Sequence, residues 1–162
     1  RVLGPATSVT AMTRVFNPLL GDGDGGTRPT TVPDHVEAIA ELAGGGVMHI
    51  VISAVAGLAP LSELWVFGSE GTVKVLCDRP IDPNENEPAW IWMARKGDDE
   101  LSPVSVADGL AGKYEMEKEF VAAIRGEGPV GDTTFPDGLR YMEFTEAVTR
   151  SAQEGKAIGL PI

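Results

Sequence analysis

The chain has a single cysteine, Cys77, in 162 residues. No internal disulfide can form, which fits a reducing, cytoplasmic setting. No histidine lies near Cys77 in sequence, so it reads as a strand-end residue rather than a nucleophile. Histidine is almost as scarce, with only His35 and His49. No serine sits in a G-x-S-x-G setting, the local pattern of a nucleophile elbow. Positive charge is also short: 13 Lys and Arg stand against 24 Asp and Glu, a net charge of −11. Nucleic acid is therefore not an expected partner, because phosphate binding needs a basic face. An anionic membrane surface would repel the chain for the same reason. No apolar run approaches the ~20 residues of a membrane span, and no basic-plus-apolar signal segment opens the sequence.

What is present is ordinary for a globular protein: 43% hydrophobic and 23% charged residues. The length suits one domain over residues 1–162, large enough to bury a core. Ser8 to Phe16 alternates with period two and predicts a strand. Asn17 to Pro33 is Gly-, Asp- and Pro-rich and predicts a long mobile loop. His35 to Leu42 and Val47 to Ser53 predict a hairpin. A tight two-residue turn at Gly44-Gly45 would pair Ala40 with His49 and Ala38 with Val51. Gly46 leaves that register open to a bulge. Val47 to Ile52 is nearly apolar on both faces, so both faces of its sheet should be covered. Leu64 to Phe67 and Thr72 to Leu76 predict a second hairpin around Gly68-Ser69-Glu70-Gly71. Ala89 to Arg95 predicts a further strand, and Lys96 to Gly112 is irregular.

The last third is helical. Lys113 to Arg125 places Met116, Phe120, Ala123 and Ile124 at helical spacing. Thr134 suits an N-cap, with Asp137 at N3 and Pro136 in the first turn. That helix should run to Glu154, with Gly155 at its C-terminal cap. Tyr141, Phe144, Thr145, Val148 and Ala152 would line one side, and Glu146 and Arg150 would pair. Strands followed by helices predict an α+β fold: a mainly antiparallel open sheet with helices on one face.

Candidate sites are few. Gly21 to Thr27 (GDGDGGT) is not followed by a helix pattern, since Pro29 and Pro33 come next, so a phosphate cradle is not expected. It also fails as a calcium loop, lacking Gly where Thr27 stands and Glu where Pro33 stands. In the two-residue register, His35 and His49 fall on opposite faces and do not share a metal. His49 reads as a core or interface residue. His35, next to a flexible loop, is the one candidate for touching a substrate. Trp90 and Trp92 share a strand face, which suits either sheet packing or a stacking platform for a sugar ring. Glu115, Glu117 and Glu119 mark a solvated helix face. No residue is assigned a catalytic, cofactor-binding or metal-binding role.

Three stretches carry a family resemblance. Val36 to Ser53, Leu64 to Val75 and Thr134 to Gly155 resemble the C-terminal domain of the glucose–fructose oxidoreductase/inositol dehydrogenase (Gfo/Idh/MocA) family. The Gly68-x-x-Gly71 turn and the Ser151-Ala152-x-Glu154-Gly155 helix end resemble it most. These are fold signatures and not catalytic motifs. The resemblance implies a parent with an N-terminal Rossmann domain that binds NAD or NADP and supplies a catalytic Lys. It implies that the present domain walls the substrate pocket and offers an open sheet for homo-oligomer contacts. The glycine fingerprint, the Lys segment and the family's Asp/His helix do not occur in this sequence. The chain is therefore expected to be one domain of a sugar- or polyol-type oxidoreductase, inactive and without cofactor alone. It is also expected to form a homodimer or higher homo-oligomer through one sheet face. A standalone binding or assembly module is the alternative.

Overall fold

In a computed structural model of the chain, residues 3–21, 23–59, 62–76, 90–106, 116–129 and 133–162 are described. The elements in chain order are β1 (Ala6–Arg14), β2 (Leu19–Gly21), β3 (Thr27–Pro29), β4 (His35–Leu42), β5 (Val47–Ser53), β6 (Glu63–Gly68), β7 (Gly71–Leu76), β8 (Trp90–Arg95), β9 (Ser102–Pro103), α1 (Met116–Ile124), α2 (Phe135–Glu154) and β10 (Ile158–Gly159). This is the expected α+β class, and every strand pairing among the described residues is antiparallel. Two compact units form: Arg1–Gly57 with Val130–Ile162, and Leu58–Pro129. Cys77, and the expected helix start at Lys113, lie outside the described residues.

The first unit holds a sheet in the order β10-β1-β4-β5. The β4 and β5 bounds are those the sequence predicts, but their register is one residue off. Ala40 pairs with Met48, Ile39 with His49 and Ala38 with Ile50. The reason lies in the turn. A two-residue I′ turn needs positive φ at both central residues, and only Gly45 supplies it, at φ 82°. The turn therefore spans Ala43, Gly44 and Gly45. It is closed by Leu42 N–H to Gly46 O at 2.9 Å and Gly45 N–H to Leu42 O at 2.8 Å. A one-residue change of register moves side chains to the other face relative to their partners.

Helix α2 covers one face of this sheet. Val9, Ala38, Ala40, Ala147 and Ile158 form the buried cluster, with Ala11, Met48, Ile50, Phe144 and Val148 packed around it. Three alanines in that cluster let helix and sheet approach closely. The buried stripe of α2 is consequently Phe144, Ala147, Val148 and Ser151, whereas Tyr141 and Thr145 are exposed. Ser151 is fully buried. Its hydroxyl accepts the Ala11 N–H at 2.8 Å and donates to Lys156 O at 2.7 Å, so both its hydrogen-bonding roles are used. The caps are as expected. Thr134 and Asp137 form a reciprocal capping box, and Gly155 ends the helix at φ 66°. Arg150 meets Glu154 at 3.3 Å rather than Glu146.

Two features depart from the expected loop and tail. Within Asn17 to Pro33, β2 and β3 pair as a short ribbon, Leu19 against Pro29 and Gly21 against Thr27. Beyond Gly155, β10 pairs with β1 through Val9 and Ile158. Such a two-residue strand has no period of its own and exists only through its partner.

The second unit holds a sheet in the order β6-β7-β8-β9. Its first hairpin turns on Ser69-Glu70, with Gly68 opposite Gly71. Gly71 is required there: at φ 155°, a Cβ would overlap the Ala94 carbonyl oxygen on β8. The close approach of two backbones explains the second glycine of the motif. Helix α1 belongs to this unit and buries none of its residues, and Phe120 and Ile124 are exposed.

Candidate functional site

The face of the first sheet opposite α2 carries the histidines. Pairing Ile39 with His49 puts His49 on the same face as His35, Glu37 and Ile39, which overturns the expected separation of the two histidines. Glu37 lies between them. Its Oε1 is 3.2 Å from His35 Nε2, and its Oε2 is 3.7 Å from His49 Nε2. The His35 side chain is largely covered, and the Phe16 ring meets it edge-on at 5.5 Å. His49 is the more open of the two. Among the described residues, no group of three His, Cys, Asp or Glu side chains is arranged to hold a metal. The arrangement can form hydrogen bonds with polar groups. Around it stand apolar residues: Met12, Ile39, Val47 and Val51 are all exposed.

Asp34 anchors this corner. Its carboxylate accepts the N–H groups of Phe16 at 2.8 Å and Asn17 at 2.7 Å. Those two bonds, Phe16 first, hold its carboxyl below the ordinary carboxylate range. Asp34 thereby fixes the turn that brings Phe16 against His35. The sequence showed an Asp-His pair after a loop, but nothing local marked the Phe16 and Asn17 amides as its partners.

Of the Gly21 to Thr27 segment, Gly21 ends β2 and Thr27 begins β3. A strand, Thr27–Pro29, follows it, so no helix N-terminus stands there to receive a phosphate.

One face of the second sheet brings aromatic rings together. Trp65, Lys74 and Trp92 are successive partners across β6, β7 and β8. Lys74 Nζ lies 4.8 Å from the Trp65 ring centroid and 5.9 Å from that of Trp92. It also pairs with Glu63 Oε1 at 3.1 Å. Trp65 Nε1–H donates to Glu63 Oε2 at 3.0 Å. The Trp65 bond, then the Lys74 bond, hold the Glu63 carboxyl below its usual range. Phe67 lies beside Trp65, with centroids 5.8 Å apart and planes at 11°. Trp92, half of the aromatic pair read from sequence, thus joins a different set of rings. The Trp90 side chain lies outside the described residues. The Gly68-Ser69-Glu70-Gly71 turn flagged the β6–β7 hairpin, but only the β6–β7–β8 register reveals that Trp65, Lys74 and Trp92 form a row. At the turn end of this sheet an open depression of about 300 Å³ is lined by Gly68, Thr72, Arg95 and Lys96. Beside it, the Arg95 N–H is already bonded to the Asp98 carboxylate at 2.7 Å.

No protein-family model and no curated protein matches the sequence. Solved structures do match. Levoglucosan dehydrogenase in complex with NADH and L-sorbose aligns with a TM-score of 0.76 at 19% identity, over 97% of this chain and 45% of that one. The WlbA dehydrogenase from Bordetella pertussis, in complex with NADH and UDP-GlcNAcA, aligns with a TM-score of 0.66 at 20% identity, over 99% and 40%. A super-repressor mutant of Gal80p from Saccharomyces cerevisiae aligns with a TM-score of 0.70 at 14% identity, over 97% and 45%. The chain thus spans less than half the length of each of these proteins. Its fold is the fold of that part of them, the α+β domain expected from the resemblance to the Gfo/Idh/MocA family.

Proposed function

We propose that the chain is the substrate-side and oligomerisation domain of an NAD(P)-dependent oxidoreductase acting on a sugar, polyol or similar hydroxy compound. The observation that carries this reading is the coverage. Almost the whole chain superimposes on under half of dehydrogenases solved with NADH and sugar-type ligands. On this reading the dinucleotide belongs to the rest of the parent, bound at a glycine turn that meets a helix N-terminus. There the nicotinamide carries the hydride chemistry, and the present domain supplies scaffold and pocket wall. A cytoplasmic setting goes with this reading, on the single cysteine. The test is the coding sequence upstream of Arg1. A strand followed by G-x-G-x-x-G is the expected finding, and its absence would overturn the parent-enzyme reading.

The oligomer contact is assigned to the open face of the first sheet. Met12, Ile39, Val47 and Val51 expose apolar surface there, at 48%, 54%, 70% and 54% of their full areas. Soluble monomers rarely leave such patches uncovered. A second copy using the same strands about a two-fold axis covers it with the fewest parts. Val51→Lys should give a folded monomer by light scattering at tens of micromolar, where the unaltered chain is a dimer. A monomeric unaltered chain would remove this interface. The second reading is a standalone non-catalytic binding or assembly module, which a native start codon next to Arg1 with no upstream domain would favour.

A further inference from the structure

The sequence contains four Asp–Gly pairs, and two of them, Asp24–Gly25 and Asp137–Gly138, lie wholly among the described residues. Such a pair has a reaction open to it that other pairs largely lack. The backbone nitrogen of the glycine attacks Cγ of the aspartate, and glycine carries no Cβ to crowd that approach. The attack requires the aspartate backbone to rotate until this nitrogen faces the side chain. It therefore runs where the main chain is exposed and lightly held, and it is blocked where regular structure fixes the rotation.

The two pairs differ on each of these points. Asp137–Gly138 lies in the first turn of α2, where helical dihedrals fix the backbone. The Gly138 N–H donates to the Thr134 carbonyl at 2.9 Å. The Asp137 carboxylate accepts the Thr134 N–H at 3.0 Å and the Thr134 hydroxyl at 2.7 Å. Arg140 Nη1 stands 3.5 Å from its other oxygen. Nucleophile and carboxyl are thus each engaged elsewhere. Asp24–Gly25 lies beyond the last β2–β3 rung, which joins Gly21 to Thr27. Both of its residues are exposed. Among the described residues the Gly25 N–H has no hydrogen-bond acceptor. A Cβ placed on Gly25 would meet no described atom within 4 Å, so a ring formed there has room.

We propose that Asp24 is a site of spontaneous backbone modification, passing through a succinimide to isoaspartate, and that the capping box of α2 shields Asp137 from the same reaction. In the first step a bond forms between the Gly25 nitrogen and Asp24 Cγ. The nitrogen gives up its proton, a Cγ–O bond breaks, and one water leaves. In the second step one water adds to the ring. Opening at the Cγ–N bond restores aspartate. Opening between the nitrogen and the Asp24 main-chain carbonyl carbon leaves the chain running through Cβ and Cγ, which is isoaspartate. Water is the only co-reactant, and nothing is oxidised or reduced. The product lengthens the main chain by one atom between the paired strands β2 and β3 and moves the free carboxylate onto Cα. The conversion is built into one unit and is independent of the dehydrogenase reading.

The 162-residue chain is held at neutral pH in heavy-oxygen water and then digested. Electron-based fragmentation of the peptides separates isoaspartate from aspartate and locates the incorporated oxygen. A parallel sample is held in guanidinium chloride. In the folded chain, isoaspartate and heavy oxygen accumulate at Asp24 at least tenfold faster than at Asp137. In denaturant the two rates come within threefold of each other, because unfolding releases Gly138. Gly25→Ala, at an exposed position, slows the reaction at Asp24 at least fivefold by placing a Cβ beside the attacking nitrogen. A folded chain that reacts no faster at Asp24 than at Asp137 would overturn the proposal. So would an Asp24 rate unchanged in Gly25→Ala. An Asp137 rate that stays low in denaturant would overturn the shielding role of the capping box.

Discussion

The two sheets of this protein are built on the same antiparallel plan and differ in what holds them. In the first, α2 lies on one face, and every fully covered apolar side chain among the described residues belongs to this unit. In the second, the described residues of β6, β7 and β9 include none that is fully buried. The first sheet is held by a close-packed helix. The second is held by its hairpins, its backbone ladder and a row of rings and charges at Trp65, Lys74 and Trp92. Similar strand signals in sequence therefore lead to different kinds of stability. A strand pattern reports pairing, and only the helix positions report burial.

The largest effect expected from this contrast is at Ala147. It is fully buried against Val9, Ala38 and Ala40. Ala147→Glu places an unpaired carboxylate in that contact and should cost roughly 3–5 kcal/mol, measured by urea unfolding. A cost under about 1 kcal/mol would show that α2 does not rest on the sheet as described.

The second sheet has its own sensitive point, which is backbone and not core. Gly71→Ala drives a methyl into the Ala94 carbonyl oxygen. The β7–β8 ladder must shift, at about 1–3 kcal/mol. Amide exchange should then accelerate for β7 and β8 and stay unchanged for β1 and β4. Equal acceleration in both sheets would show that the two units open together.

The smallest effect is electrostatic and local to the first unit. Asp34 has its carboxyl lowered by the Phe16 and Asn17 amides. A depressed carboxyl contributes stability that is present above its unfolded pKa and lost as pH falls through the folded one. Asp34→Asn should therefore be less stable than the unaltered chain at neutral pH, and the difference should shrink as pH falls through the carboxylate range. A difference independent of pH would assign the role of Asp34 to geometry alone. The neighbouring Phe16–His35 contact at 5.5 Å should loosen in the same variant, visible in the His35 ring resonances.

Much of the fold was legible in the sequence, for local reasons. The bounds of β4 and β5 follow from an apolar run between turn residues, and both ends of α2 follow from Thr134, Pro136, Asp137 and Gly155. What was not legible depends on distance. The three-residue turn at Ala43–Gly45 rests on which glycine takes positive φ, and that choice moved His49 to the face of His35 and Glu37. The buried stripe of α2 was misplaced because Tyr141 is large and apolar, while the sheet beneath offers Ala38 and Ala40 and admits Ala147 and Ser151. β10 and the Ser151 bond to Ala11 rest on residues more than a hundred positions apart. Of the candidate sites, His35 was named without its partners. Trp92 was named without Trp65 and Lys74, because rows across strands exist only once the register is set.

The central claim is that this chain is the half of an oxidoreductase that walls the substrate site and does not hold the dinucleotide. Calorimetric titration of the 162-residue chain with NADH tests it most directly. The account predicts no saturable heat, because no glycine turn meets a helix N-terminus in the described fold. A micromolar dissociation constant, about −8 kcal/mol, would contradict it.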